Sequence, residues 1–101
     1  MADKVSMWGI FISQSKTLML KGIRTDVVKI TSISLSYRSY GKTCVLMRIG
    51  DGYKIPLVNL EQGIKEQAIV GIYLRVSEGI CFYAEGPGTV FVDGIQIPDE
   101  H

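Results

Sequence analysis

Residues 85–97 have the sequence EGPGTVFVDGIQI, which combines a tight turn with a β-strand. In the turn, Glu85-Gly86-Pro87-Gly88, the proline fixes φ between two conformationally permissive glycines. From Thr89 to Ile95 the chain is rich in β-branched and aromatic residues, which is typical of a strand. This segment therefore predicts that the chain ends in a turn followed by a strand.

The same organisation extends back to the N-terminus, where short apolar bursts alternate with turn residues. Residues 69–76 alternate cleanly, with one set of apolar side chains at every second position, as one buried sheet face requires. Eight strands are predicted: Trp8–Ser13, Thr17–Leu20, Val27–Leu35, Thr43–Ile49, Tyr53–Leu60, Ala68–Val76, Ile80–Ala84 and Thr89–Ile95. The predicted fold class is therefore all-β, a sandwich or barrel of which the jelly roll is one form.

Local irregularities are predicted at several positions. The apolar spacing becomes three between Ile30 and Ile33, which indicates a β-bulge. Pro56 cannot donate a ladder hydrogen bond, so it predicts an edge strand or a bulge. Residues 50–52 and 77–79 both resemble tight hairpins. Residues 61–68 are the only helix candidate, and Gly63 and the short length favour a turn there.

The composition is that of a single domain spanning residues 1–101, either complete or excised from a longer chain. Eleven basic residues nearly balance ten acidic ones, so there is no strong overall charge to attract nucleic acid or anionic membranes. The N-terminus does not resemble a signal peptide, and no apolar run approaches the ~20 residues that span a bilayer. We therefore expect a soluble intracellular protein. Its mean hydropathy of +0.22 suggests that a partner or sister subunits cover some apolar surface.

Catalytic chemistry is not indicated. The sole histidine, His101, is the last residue, so no base is available to activate a serine or cysteine nucleophile. Cys44 and Cys81 lie in apolar runs and are expected to be buried free thiols rather than metal ligands. Glu61 and Glu66 are expected to be solvated surface charges. No cofactor or metal is predicted, and the domain is not expected to be an enzyme.

One local patch suggests a different function. Residues 37–42, YRSYGK, interleave two tyrosines with two cations, as small β-barrels that bind single-stranded nucleic acid do. The nearly neutral net charge argues against strong attraction to phosphate, so a surface loop is the preferred interpretation. Nucleic-acid binding through Tyr37, Arg38, Tyr40 and Lys42 remains the alternative hypothesis.

Several segments, taken in order from Met7 to Ile97, resemble the nucleoplasmin-like core domain. The opening MWGIFIS is similar to the family's aromatic-glycine first strand, and DVVKITSISLS to the strand before its long loop. YKIPLVNLEQG resembles a later strand, and EGPGTVFVDGIQI resembles the last strand most closely. The family includes nuclear histone chaperones and the N-terminal domains of some nuclear FK506-binding prolyl isomerases and of plant type-2 histone deacetylase-like proteins.

The resemblance implies an eight-stranded jelly roll that assembles as a homopentameric ring, in the nucleus, and binds histones through adjacent acidic tracts. This sequence departs from that pattern in two ways. It lacks acidic tracts, and SYRSYGK occupies the position of a loop linked to ring stacking in the family, which favours one pentamer over a decamer. The expected acidic contacts to a basic partner are Asp93, Asp99 and Glu100, and the expected subunit contacts are Trp8, Tyr53 and Phe91.

The function that these features favour is a pentameric platform of the histone-chaperone type, without catalysis of its own. A purely structural oligomerisation domain of a larger nuclear enzyme, such as a prolyl isomerase, is a further alternative. No role in membrane binding is expected.

Overall fold

The chain folds into two antiparallel four-stranded sheets that pack face to face. The structure is a computed structural model that describes residues 6–20, 27–36 and 40–97, with the backbone alone at residues 6–8 and 77. Its strands are β1 (Ser6–Ile12), β2 (Leu18–Leu20), β3 (Val27–Leu35), β4 (Lys42–Ile49), β5 (Ile55–Glu61), β6 (Gln67–Arg75), β7 (Ile80–Glu85) and β8 (Val90–Ile97). All eight predicted strands are confirmed, with end positions that differ by two residues at most.

The strand order defines a jelly roll. Sheet A has the order β1-β8-β3-β6 and sheet B the order β2-β7-β4-β5, so most connections cross between the sheets. Alternating side chains of both sheets point inward and form one core. Its largest fully buried members are Phe82, Ile12, Ile30, Ile33, Leu60, Ile80, Val45, Val90 and Val92. The other side of each sheet faces outward, and these two outer faces are the surfaces available for binding.

The predicted irregularity at Ile30–Ile33 is confirmed as a bulge of sheet A. Thr31 is an extra residue relative to β8, because Ile30 pairs with Gly94 and Ser32 with Asp93. On the other side of β3, two residues of β6, Val70 and Gly71, lie opposite Thr31. Gly71 has φ +65°, a value that glycine adopts without steric cost.

The prediction for Pro56 is also confirmed in both of its forms. Strand β5 is at the edge of sheet B, and the pairing of β4 with β5 shifts register between Val45 and Leu46. The residues around Gly63 form a turn rather than a helix, because Glu61 and Lys65 on either side of it pair as an isolated antiparallel bridge. The N–H groups of Ile64 and Lys65 both donate to the Glu61 carbonyl (3.1 and 2.9 Å).

The predicted hairpin at residues 77–79 is wrong. Residues Val76–Glu78 form a 3-10 turn that carries the chain from sheet A to sheet B, so β6 and β7 are not partners. The side chain of Val76 is buried in the core, and the Gly79 N–H donates to the Val76 carbonyl (3.0 Å). A turn pinned between two sheets has the same residue types as a hairpin turn, which explains the error. The hairpin at residues 50–52 does join partners, β4 and β5.

Both cysteines are free, as predicted, but the predicted burial is confirmed for Cys81 alone and is wrong for Cys44. Cys81 is buried and Cys44 is half-buried, and both belong to the outward-facing rows of sheet B. Cys44 pairs with Glu85 and Cys81 with Arg48, so the two thiols are four rungs apart, about 13 Å. This separation is too large for a disulfide bond between them.

Candidate functional site: the outer face of sheet A

The outer face of sheet A carries a carboxylate surrounded by apolar side chains. Asp93 lies on β8, one of the two central strands, and its row contains Gly9 on one side and Ser32 on the other. The rows before and after it contain Phe91 and Ile95. We call this surface the Asp93 face; its members are Phe11, Ile69, Tyr73, Phe91, Asp93 and Ile95.

Two hydroxyl groups hold the Asp93 side chain. Thr31 Oγ1 and Ser32 Oγ each donate to Asp93 Oδ1 at 2.8 Å, and Thr31 Oγ1 also lies 3.1 Å from the Asp93 carbonyl oxygen. Consecutive residues of a regular strand point to opposite faces. The bulge at Thr31 removes that alternation locally, so both hydroxyls reach the same carboxylate.

Aromatic rings lie next to this carboxylate. Phe91 and Phe11 are paired across β8 and β1, with ring centroids 4.8 Å apart and planes tilted by 53°. The end of the Phe91 ring lies over Gly9, where a Cβ atom would collide with it. Because Gly9 is opposite Asp93, the Phe91 ring extends towards the row of the carboxylate.

The Asp93 face exposes an unusual amount of apolar surface. The exposed fraction is 51% for Phe11, 86% for Ile69 and 63% for Tyr73. The one cation in these rows, Lys29, places its ammonium group 5.3 Å from the centre of the Tyr73 ring. Large exposed apolar side chains on one sheet face indicate a surface that binds other molecules.

A second surface lies on the outer face of sheet B. The Tyr83 ring has two cations over it, with Lys54 Nζ at 4.3 Å and the Arg48 guanidinium at 5.9 Å from its centroid. Arg48 Nε is buried and, within the described part of the chain, makes no hydrogen bond. Burial and the contact with Cys81 raise the pKa of the Tyr83 hydroxyl.

The structure separates the residues that the sequence suggests as sites. Asp93 and Phe91 lie together on the Asp93 face, whereas Tyr53 is 91% exposed in the loop between β4 and β5 of sheet B. The backbone of Trp8 pairs with Gly94 in sheet A. Asp99 and Glu100 lie outside the described residues.

The residues of the alternative nucleic-acid hypothesis are only partly described. Tyr40 and Lys42 are exposed at the start of β4, and Tyr37 and Arg38 lie outside the described residues. Across the residues that the structure describes, no three His, Cys, Asp or Glu side chains are grouped closely enough to hold a metal ion. The described helical residues likewise include no helix long and apolar enough to cross a membrane.

Sequence reasoning missed the hydroxyl pair that holds Asp93. The three-residue spacing from Ile30 to Ile33 indicates the bulge, yet it does not reveal which strand supplies the acceptor. The sequence also did not predict that the apolar residues of β6 form a surface. Ile69 and Tyr73 alternate with the residues of the inward-facing row, and the pattern indicates only that they point to the other side of the sheet.

The sheet order defines a class: all-β jelly-roll sandwiches of two four-stranded antiparallel sheets. The model of the nucleoplasmin-like domain matches residues 7–97. The chain therefore belongs to the nucleoplasmin-like domain family, as its resemblance predicts. No curated protein matches the sequence closely enough to count as a relative.

Solved structures have the same fold. The core of Drosophila NLP, whose crystal structure was described for its insight into pentamer formation and histone binding, superposes with a TM-score of 0.81 at 18% identity, covering 91% of this chain and 98% of that one. The nucleoplasmin-like N-terminal domain of Drosophila FKBP39 superposes with a TM-score of 0.77 at 13% identity, covering 96% of this chain and 93% of that one.

Proposed function

We propose that this domain is a non-catalytic binding platform that assembles as a homopentamer and holds histones or other basic proteins in the nucleus. The observation that carries the proposal is the apolar outer surface of a nucleoplasmin-like sandwich, since eight large hydrophobic side chains are exposed among the described residues. Support also comes from the similar fold of Drosophila NLP, for which pentamer formation and histone binding have been described.

In a ring of five, each subunit contacts its two neighbours through two different, complementary patches. An interface in which the same patch of both subunits meets can form only a dimer. Sheet B supplies suitable apolar residues: Met19 on its outer side is exposed by 52%, and Tyr53 and Ile55 at the start of the edge strand β5 are exposed by 91% and 49%. We propose Tyr53 and Trp8 as subunit contacts. The same role for Phe91 stays a prediction.

Basic partners are expected to bind through acidic groups that follow one another at the end of the chain. Asp93 is on the last strand, and Asp99 and Glu100 follow within seven residues. Each contact is weak alone, but a ring presents five copies, so the effective concentration of the second and later contacts is high.

The first test is the native mass, measured by size-exclusion chromatography with light scattering. Five 11.2 kDa subunits have a mass of about 56 kDa. A mass near that value, together with histone binding that weakens when salt rises, is the expected result. A stable 11.2 kDa monomer would contradict the ring.

The second test neutralises the three acids together, as Asp93→Asn, Asp99→Asn and Glu100→Gln. The triple variant is expected to bind histones about tenfold or more weakly at low salt and to retain the mass of the ring, because three surface ion pairs contribute up to about 1 kcal/mol each. Unchanged affinity would remove these acids from the site.

A further inference from the structure

We propose that Arg48 and Lys54, beside the Tyr83 ring on the outer face of sheet B, form a binding site for one carboxylate group of a neighbouring subunit. The inference rests on the proposed homopentamer and deepens it, because it assigns an ion pair to a contact that otherwise consists of apolar packing. The acidic side chain that enters the site belongs to a second copy of this chain.

The two cations start from adjacent positions on one face of sheet B. Met47 pairs with Ile55, and Lys54 is the residue before Ile55, so the same register places Lys54 opposite Arg48. Both side chains reach one ring, with Lys54 Nζ 4.3 Å and the Arg48 guanidinium carbon 5.9 Å from the Tyr83 centroid. The register and the shared ring therefore bring two positive charges together.

These two charges are not neutralised within the described part of the chain. Neither Arg48 nor Lys54 forms an ion pair with a described carboxylate, and Arg48 Nε is buried without a hydrogen-bond acceptor there. Like charges on directly opposite residues destabilise a strand pair, and a buried donor without an acceptor is costly. One carboxylate that accepts from the guanidinium group and lies beside the ammonium group removes both costs.

The charges around the pair favour a single carboxylate over a polyanion. Glu85 lines the same open pocket of about 370 Å³ as Lys54 and Tyr83, and its negative charge repels a chain of phosphates. Arg48 lies opposite Cys81, four residues from Glu85 along β7, which is about 13 Å. One carboxylate can therefore bind the fork of the guanidinium group on the side away from Glu85.

The site is continuous with the proposed subunit contact on sheet B. Lys54 lies between Tyr53 and Ile55, which are exposed by 91% and 49%. A subunit that covers these two side chains also covers Lys54, and a charge that is taken out of water needs a partner of opposite charge. Each copy of the chain carries exposed acids, among them Glu66 and Glu78, so a neighbouring copy can supply the carboxylate.

The test measures how the ring dissociates on dilution, by sedimentation velocity between about 0.05 and 0.6 M NaCl. Salt screens an ion pair and does not weaken apolar contacts, so the wild-type ring is expected to dissociate at about fivefold higher subunit concentration in the higher salt. Lys54→Gln is expected to dissociate at about fivefold higher concentration than wild type in the lower salt, and at nearly the wild-type concentration in the higher salt.

A second variant, Lys54→Glu, separates the loss of a charge from the loss of packing. A carboxylate at position 54 lies opposite Arg48, pairs with it within one subunit and repels the neighbour's carboxylate, so this ring should dissociate at a higher concentration than that of Lys54→Gln. Equal effects of the two variants would overturn the inference, because they would show that Lys54 only covers apolar surface. Lys65→Gln, which replaces an exposed lysine in the turn between β5 and β6, is the matched control and should behave as wild type.

The other outcomes separate this inference from the proposed function. If wild type forms the ring and both Lys54 variants dissociate as wild type does at every salt concentration, the carboxylate site is wrong while the ring stands. If an oligonucleotide binds wild type and not Lys54→Gln, while both rings are equally stable, the cation pair binds phosphate and the inference is wrong. If wild type is a monomer at every concentration, the ring and the site are both overturned.

Discussion

Asp93 shows how one residue depends on three strands for its position. Its carboxylate is on β8, its two hydroxyl donors are on β3, and Gly9, which lies opposite it and makes room for the Phe91 ring, is on β1. In the sequence, Asp93 is an acid on the last predicted strand, and its sequence context does not distinguish it from an ordinary surface aspartate. Only the register of β3 against β8 brings Thr31 and Ser32 to it, and register depends on long-range pairing that a single sequence does not encode locally.

The two cysteines should differ in reactivity. Partial burial raises the pKa of the Cys44 thiol, and the nearby negative charge of Glu85 raises it further. Since the thiolate is the reacting form, iodoacetamide should alkylate Cys44 more slowly than a free cysteine at pH 8, and the rate should climb as the pH approaches and passes 9. Buried Cys81 should stay unmodified until the protein unfolds.

Peptide mass spectrometry over a pH series measures the rate of alkylation at Cys44 and at Cys81. Glu85→Gln removes one cause of the raised pKa and should speed the reaction of Cys44 at pH 8. The linkage has a defined sign: a thiol whose folded-state pKa is raised favours folding below its unfolded pKa, near 9, and this contribution is lost above that pH. Alkylation of Cys81 at the same rate as Cys44 would contradict the assigned burial.

At the scale of elements, the strands were predictable and their partners were not. Alternation in residues 69–76 and the turn residues between segments place the strands, because burial of one face imposes period two. The residue types of a turn do not indicate whether the following strand lies in the same sheet or in the other one. The 50–52 turn joins ladder partners, whereas the 76–78 turn connects one sheet to the other, with the side chain of Val76 buried in the core.

The turn that precedes β8 depends on one hydrogen bond from β4. Thr43 is fully buried, and its Oγ1 accepts the Gly88 N–H at 2.9 Å. Thr43→Val keeps the shape but leaves that N–H without a partner, so it should lower the free energy of unfolding by about 1–3 kcal/mol. Thr43→Ser retains the acceptor and should lose about 0.8 kcal/mol for one methyl group.

Urea unfolding at one fixed subunit concentration compares the two variants. The valine variant should have the lower midpoint, because an unsatisfied buried donor costs more than a lost methyl group. A valine variant as stable as the serine variant would show that water or another group satisfies Gly88.

At the scale of the whole molecule, exposed apolar area and weak net charge belong together. A chain with net charge +1 has little electrostatic repulsion between copies, so contacts between apolar faces are not opposed. Composition alone suggests covered apolar surface, but it cannot say which side chains are involved. In the structure, exposed apolar side chains include Tyr53 and Ile55 at the β4–β5 end of sheet B, and Ile69 and Tyr73 on the outer face of sheet A.

Assembly should make thermal stability depend on concentration. If folding and ring formation are coupled, the thermal midpoint rises by mass action, and a tenfold increase in subunit concentration should raise it by about 4 °C or more for a domain of this size. Tyr53→Ser should reduce this dependence, because Tyr53 is 91% exposed and its replacement leaves the core intact. Tyr40→Ser, which removes a 69% exposed tyrosine elsewhere, is the matched control and should behave as wild type. Scanning calorimetry from 5 to 500 µM measures the effect. A midpoint that does not change with concentration in wild type would mean that the apolar faces are not buried by self-association.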